Sequence, residues 1–228
     1  MTPEPVSAEL TALLEDGRVA CRVWPEQMEG PYYRSDPPTR RDIVEDRDGV
    51  LLALGLRLVD ADGAPVGEAA VDVWHCDALG RYSGFPPPDP TGTTAGDEEA
   101  RAEYVPDRMF LRGRQHTDDA GMVELRTIYP GWYPGRTVHV HLLVRAGDEV
   151  FTSQLYFPDA VSDHVLAGAP YRERPGRDTT NETDEILPTG GETAFLDVVA
   201  AGDGYLAACC LLVPVRSART REGSGVAQ

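Results

Sequence analysis

Apolar positions in this chain come in short runs, broken by glycine, proline and aspartate. Leu51-Leu-Ala-Leu-Gly-Leu-Arg-Leu-Val59 is the first such run, and it ends in Asp60-Ala-Asp-Gly63, a turn signal. Ala70–His75 reads as a second strand, and Met122–Ile128 as a third, introduced by the turn Asp118-Asp-Ala-Gly121. Val138–Arg145 and Phe151–Phe157 flank Ala146-Gly-Asp-Glu149, which predicts a hairpin. Leu206–Val215 closes the folded region, and the residues Ser7–Glu15 favour a short helix ahead of it. Phe85–Glu103 and Tyr171–Glu192 read as long loops, which in compact domains are often functional.

Six or so strands separated by turn residues, with little helical periodicity, predict an all-β fold. The expected architecture is a β-sandwich of mainly antiparallel strands with long active-site loops and a short N-terminal helix. Residues 1–20 form an arm, 21–216 one domain and 217–228 a disordered tail in this reading. No internal repeat and no linker to a second domain is visible.

Composition narrows the partners. With 228 residues, 41% hydrophobic and 26% charged, the chain can bury a sizeable core. A net charge of −17 repels phosphate backbones and anionic membranes, so neither nucleic acid nor a membrane is an expected partner. There is no lysine, every cationic side chain being arginine, which excludes a Schiff-base lysine, a phosphate-loop lysine and a lysine base. The first sixteen residues lack the charge and apolar core of a secretory signal. The longest apolar runs are too short to span a bilayer. A cytoplasmic protein is therefore expected. Cys21, Cys76, Cys209 and Cys210 show no C-x-x-C spacing, against structural zinc. Cys21 and Cys76 are a possible pair in an oxidising compartment; in a cytosol, thiols are expected.

The candidate chemistry lies in Gly131-Trp-Tyr-Pro-Gly-Arg-Thr-Val-His-Val-His141. Strand side chains alternate between faces, so His139 and His141 project together, with Tyr133 near. Such a cluster suits a metal. Taken singly, Tyr82 and Tyr133 would be ordinary sheet or turn aromatics, and Arg136 a surface charge. His75 reads as structural, since its strand neighbour Cys76 faces the other way. No Gly-x-Ser-x-Gly supports a hydrolase triad.

Four segments together carry a family pattern: Glu29-Gly-Pro-Tyr-Tyr33, Val71-Asp-Val-Trp-His-Cys-Asp-Ala-Leu-Gly-Arg-Tyr82, Tyr133 to His141, and Thr152-Ser-Gln-Leu-Tyr-Phe157. In this order the chain resembles the intradiol ring-cleavage dioxygenases, non-haem iron(III) enzymes that include the catechol 1,2- and protocatechuate 3,4-dioxygenases. The resemblance implies that Tyr82, Tyr133, His139 and His141 bind Fe(3+), with Tyr82 and His139 equatorial and Tyr133 and His141 axial. It implies that Tyr133 leaves the metal and helps to accept a substrate proton. Arg136 and Gln154 match positions beside the substrate, and Tyr32 one near the mouth of the site. The donor types are physically apt. A free tyrosine ionises at about pH 10, a bound trivalent cation stabilises its anion, and hard anionic oxygens favour ferric over ferrous iron.

The implied reaction cleaves a catechol-type ring between its hydroxyl-bearing carbons and places both atoms of O2 in a muconate-type diacid. Departures are visible too. Tyr133 and His139 are separated by fewer residues than in some larger members, which implies a more open mouth. The chain before Glu29 is too short for the helical dimerisation region of catechol 1,2-type enzymes, so any homo-oligomer should assemble differently. Two alternatives stay open: a related iron(III) enzyme acting on a larger polyphenolic intermediate, and a non-catalytic β-sandwich binding module.

Overall fold

The leucines at every second position of the run Leu51–Val59 decide where the core forms. Leu52, Leu54, Leu56 and Leu58 are each at most 1% exposed, as the two-residue period of a strand requires. A computed structural model describes residues 6–15, 19–85, 108–187 and 194–215. The body of the loop expected over Phe85–Glu103, with its carboxylates Asp97 to Glu99, lies outside the described residues, as does the tail expected from residue 217.

The described chain is mostly strands with two short helices. In order these are α1 (Ala8–Glu15), β1 (Cys21–Val23), β2 (Leu51–Val59), β3 (Ala70–Trp74), β4 (Arg112–His116), β5 (Met122–Ile128), β6 (His139–Ala146), β7 (Glu149–Tyr156), α2 (Asp159–Leu166), β8 (Asp197–Ala201) and β9 (Gly204–Leu212). One sheet runs β1-β9-β2-β5, with β8 also on β9; the other runs β4-β3-β6-β7. Apolar side chains of β2 pack in one cluster with Val71 and Val73 of β3 and with Val140, Leu142 and Val144 of β6, so the two sheets share a core. Helix α1 covers the outer face of the first sheet through Leu10 and Leu14, one turn apart. Gly55 leaves the space that Leu10 fills, since a Cβ there would sit 2.9 Å from its Cδ2.

The predicted strands β2 and β5 appear with the expected limits, and β6–β7 turns at Gly147-Asp148 as the hairpin signal requires. Three findings differ from expectation. Strands β1, β4 and β8 and helix α2 were not foreseen. Of these, Cys21-Arg-Val23 is only three residues long and Arg112-Gly-Arg-Gln-His116 is nearly devoid of apolar residues, so neither carries a strand pattern. Strand β9 pairs in parallel with β1 and β2, whereas the other pairings between named strands are antiparallel.

The last difference concerns the cysteines. Cys21 is bonded to Cys210, not to Cys76, because β1 lies beside β9 with those two residues in register and their Cα atoms 4.3 Å apart. Cys76 and Cys209 are buried thiols. Such bridges persist where thiols are oxidised, which weighs against the thiol state expected of a cytosolic chain. Among the described residues no helix is long and apolar enough to cross a membrane.

Candidate metal centre

Strand β6 has two buried faces. Val138, Val140, Leu142 and Val144 point into the shared core, which sends His139, His141 and Leu143 to the opposite side. That side would be wet if irregular segments did not cover it. Residues 24–36 supply one cover. Trp24 Nε1 donates to the Gln154 carbonyl at 3.0 Å, Gln27 N to the Thr152 carbonyl at 2.9 Å, and Ser153 Oγ to the Pro25 carbonyl at 2.5 Å. This strap brings Gly30 against His141, where a Cβ would lie 3.0 Å from Cε1, and its φ of +77° favours glycine.

Two further loops deliver the phenols. Asp77 organises the first: its Oδ1 accepts from Leu79 N at 2.9 Å and Arg81 N at 3.0 Å, so Tyr82 leaves a fixed turn. The second is the Trp132–Arg136 stretch. The two loops interlock through Gly80, where a Cβ would come within 2.2 Å of the Trp132 carbonyl oxygen. Any side chain there would push Tyr82 and Tyr133 apart.

The result is a cluster of two phenols and two imidazoles, each at most 5% exposed. Ring centroids are 5.8 Å apart for Tyr82 and Tyr133, 5.6 Å for Tyr133 and His139, 6.1 Å for Tyr82 and His141, and 4.7 Å for the two histidines. His139 Nδ1 lies 2.7 Å from the Thr137 carbonyl, an acceptor, so it carries the proton and Nε2 keeps its lone pair. That Nε2 is 3.1 Å from His141 Nε2 and 3.2 Å from the Tyr133 hydroxyl. Three donor atoms thus converge on one point.

The electrostatics agree with a site built for a cation. Burial holds both imidazoles well below the usual histidine range; the Arg136 guanidinium adds to this for His139, and His139 itself for His141. Burial pushes the Tyr133 phenol up, and burial with the adjacent Tyr133 pushes Tyr82 well above its ordinary value. Without a positive charge, the cluster therefore consists of four neutral groups. The Tyr82 hydroxyl and His141 Nδ1 are buried with no hydrogen-bond partner. An unsatisfied buried polar group costs about 1–3 kcal/mol, which a metal at the Tyr82 oxygen would relieve. Among the described residues no three His, Cys, Asp or Glu side chains form a metal-holding group, so a cation must recruit the phenols. Two nitrogens and two hard oxygens fit ferric iron.

All seven residues singled out in the sequence meet here. Tyr32 stacks on Tyr82 with centroids 4.2 Å apart and an interplanar angle of 17°. Arg136, its side chain 12% exposed, lies with Nη1 3.5 Å from His139 Nε2. Gln154 sits directly across from His141 in the β6–β7 register. Both ends of its amide are engaged: Oε1 accepts from Arg136 Nη2, and Nε2 donates to the Met28 carbonyl at 3.4 Å. As placed, Gln154 is first a brace for Arg136. His75 is structural, with Nδ1 2.8 Å from the Cys76 carbonyl and Nε2 2.7 Å from Thr127 Oγ1.

Two contributors were missed. Asp184, in the long loop after α2, accepts from Arg136 Nε at 2.9 Å and Thr137 N at 2.8 Å. Tyr156 lies opposite His139, its hydroxyl 3.1 Å from Gln154 Oε1 and 3.2 Å from Gln27 Oε1. The two-residue step from Gln154 was a usable signal for Tyr156. Nothing local marks Asp184.

The chain's similarities point one way. The dioxygenase family model matches residues 28–173. A chlorocatechol 1,2-dioxygenase of Cupriavidus pinatubonensis is 30% identical over 167 residues, covering 62% of this chain and 58% of that protein. A catechol 1,2-dioxygenase of Acinetobacter baylyi is 30% identical over 171 residues, covering 64% and 47%. The chain thus spans about half the length of these curated relatives. Among solved structures, an intradiol ring-cleavage dioxygenase from Tetranychus urticae superposes with a TM-score of 0.74 at 31% identity, covering 87% of this chain and 98% of that one. The dioxygenase domain of a dioxygenase carbohydrate-binding protein fusion from Streptomyces sp. SirexAA-E gives 0.60 at 30% identity, covering 85% and 99%.

Proposed function

This chain belongs to the intradiol ring-cleavage dioxygenase family, and on that premise we propose that it cleaves a catechol-type ring between the two hydroxyl-bearing carbons, incorporating both atoms of O2. The observation that carries this reading is the convergence of His139 Nε2, His141 Nε2 and the Tyr133 hydroxyl beside the unpartnered Tyr82 hydroxyl. These four residues would hold Fe(3+). When bound, ferric iron supplies Lewis acidity toward the diol, making the organic substrate rather than O2 the activated partner. The two sheets with their common core support reading the architecture as a β-sandwich.

The protein's own groups divide the remaining work. Tyr133, as a phenolate, is placed to receive the proton of a substrate hydroxyl at its oxygen. Arg136 is a permanent cation held at the edge of the cluster, positioned to stabilise negative charge that develops on the diol. Gln154 and Asp184 fix the direction of that guanidinium. Tyr32, stacked on Tyr82, forms an aromatic wall toward the mouth. The loops that cover β6 exclude water from the cluster, which strengthens each of these interactions.

The second reading is a substrate larger than one ring; a cavity of about 350 Å³ lined by Gly30, Tyr33, Arg34 and Phe85 among others lies on the strap, next to the glycine that packs on His141. A non-catalytic module finds no support in four buried metal donors. The deciding experiment is a visible spectrum with metal analysis, followed by oxygen uptake with simple catechols and larger polyphenols. Iron-loaded protein should be red-brown from tyrosinate-to-iron(III) charge transfer. Colourless protein replete with ferric iron would overturn the assignment.

A further inference from the structure

Arg112 opens β4 and is one of the largest fully buried side chains, 1% exposed. Burying a guanidinium is costly unless its donors are satisfied. Nε donates to Ser83 Oγ at 2.8 Å, Nη1 to the Tyr32 carbonyl at 2.6 Å, and Nη2 to the Ser83 carbonyl at 3.0 Å. Its Cζ lies 5.9 Å from the centre of the Tyr82 ring and 5.5 Å from that of Phe85. These acceptors come from two irregular segments, and the aromatic rings those segments carry, Tyr32 and Tyr82, are the stacked pair. Tyr82 lies in no helix or strand, and its hydroxyl makes no hydrogen bond to the frame outside the cluster. The Asp77 turn fixes the backbone only as far as Arg81. Beyond Arg81, Phe85 N donates to the Tyr82 carbonyl at 3.3 Å, and Arg112 holds Ser83 through both its hydroxyl and its carbonyl.

We propose that Arg112 is a positioning residue for the metal centre: by tying the Tyr32 and Ser83 carbonyls to one rigid fork, it sets where the Tyr82 oxygen stands. This rests on the iron(III) reading above. A planar guanidinium presents its donors in a rigid fork that spans these acceptors, a geometry the compact, rotating ammonium of lysine does not reproduce. Arg112→Lys therefore keeps the charge and removes the geometry. Ser83→Ala removes one of the three acceptors and leaves the arginine.

The test is ferric loading of the full chain, with the charge-transfer band recorded and affinity measured by competition with nitrilotriacetate. Arg112→Lys should lower ferric affinity by roughly 10–100-fold, the range for residues that orient a metal's ligands, and should shift or weaken the band. Ser83→Ala should move both in the same direction by less. A merely structural role would lower the unfolding midpoint and leave the band of the folded fraction as in wild type. Unchanged band and affinity in both variants, beside an intact wild-type band, would overturn the proposal alone. Should Arg112→Lys fail to fold, a wild-type band and affinity in Ser83→Ala overturns it. Wild-type protein that binds ferric iron without any such band removes the iron reading, and this proposal with it.

Discussion

Asp184 and Arg136 meet through a 2.9 Å ion pair in which the carboxylate is wholly buried, although they are forty-eight residues apart in the chain. The same carboxylate accepts from the backbone of Thr137, Ile186 and Leu187, so it ties the loop after α2 to the approach of β6. Asp184→Asn removes the charge and keeps the shape. Breaking a buried pair by removing one partner costs about 3–5 kcal/mol, some of which the asparagine's remaining hydrogen bonds offset. Arg136 would lose its fixed direction, and misplacement of a group that stabilises developing charge costs about 10²-fold. We expect kcat/KM for a catechol to fall on that order, together with a lower urea midpoint. Wild-type kcat/KM in a destabilised variant would show that Asp184 serves the fold alone.

Tyr82→Phe and Tyr133→Phe each delete one phenol oxygen while keeping a ring of nearly the same shape. Each substitution should alter the charge-transfer band of iron-loaded protein, because each removes one tyrosinate donor. Tyr133→Phe should also lower kcat, since the proton acceptor is gone. Absorption spectra of both variants at matched iron content decide the matter. A variant with an unaltered band would remove its tyrosine from the set of ligands.

That His139 and His141 share a face was legible from a local rule, whereas Tyr82 entered the expected set only through the family resemblance. His139 and His141 share a face because strands have a period of two, and the pairing of β6 with β7 then places Gln154 opposite His141. Strand β2 was readable for the same reason. What escaped was non-local or chemically unmarked. Cys21 and Cys210 meet only because the two ends of the domain pair in parallel, which no spacing announces. Strand β4 is mostly polar, yet its Arg112 is wholly buried, and a burial pattern of that kind cannot be seen in Arg112-Gly-Arg-Gln-His116 itself. Asp184 looks like any loop carboxylate until Arg136 folds against it.

The bridge between Cys21 and Cys210 closes a sequence separation of 189 residues. Strand β1 has three residues and leads straight into the strap over His141, so the bridge anchors the start of that cover. In the chain-entropy picture a loop this long gains toward the upper part of the usual range, and removal costs about 2–5 kcal/mol. Cys21→Ser should lower stability by that amount in urea unfolding. Protein purified without reductant and then denatured should titrate as two thiols, Cys76 and Cys209, among the four cysteines. Four reactive thiols would contradict the bridge.

His75 gives a pH dependence whose sign is fixed by its environment. Burial pushes its imidazole from 6.5 down to about 4, with hydrogen bonds at both ring nitrogens suited to the neutral form. As pH falls below 6.5 the unfolded chain takes up a proton that the folded protein refuses, so stability declines down to about pH 4. Below that both states are protonated and the contribution is fully lost. With about 1.4 kcal/mol for each pH unit of separation, His75 accounts for about 3 kcal/mol at most. His139 and His141 are depressed in the same direction, so wild type and His75→Gln must be compared at equal metal content. The variant should start out less stable, having lost its contacts to Thr127 and Cys76. Its stability should then fall less steeply between pH 6 and pH 4.5, by close to one proton's worth of slope, about 1.4 kcal/mol per pH unit. Its charge-transfer band should match wild type, because His75 is no donor to the metal. Parallel stability curves for the two proteins would mean that the fold does not hold His75 neutral over this range.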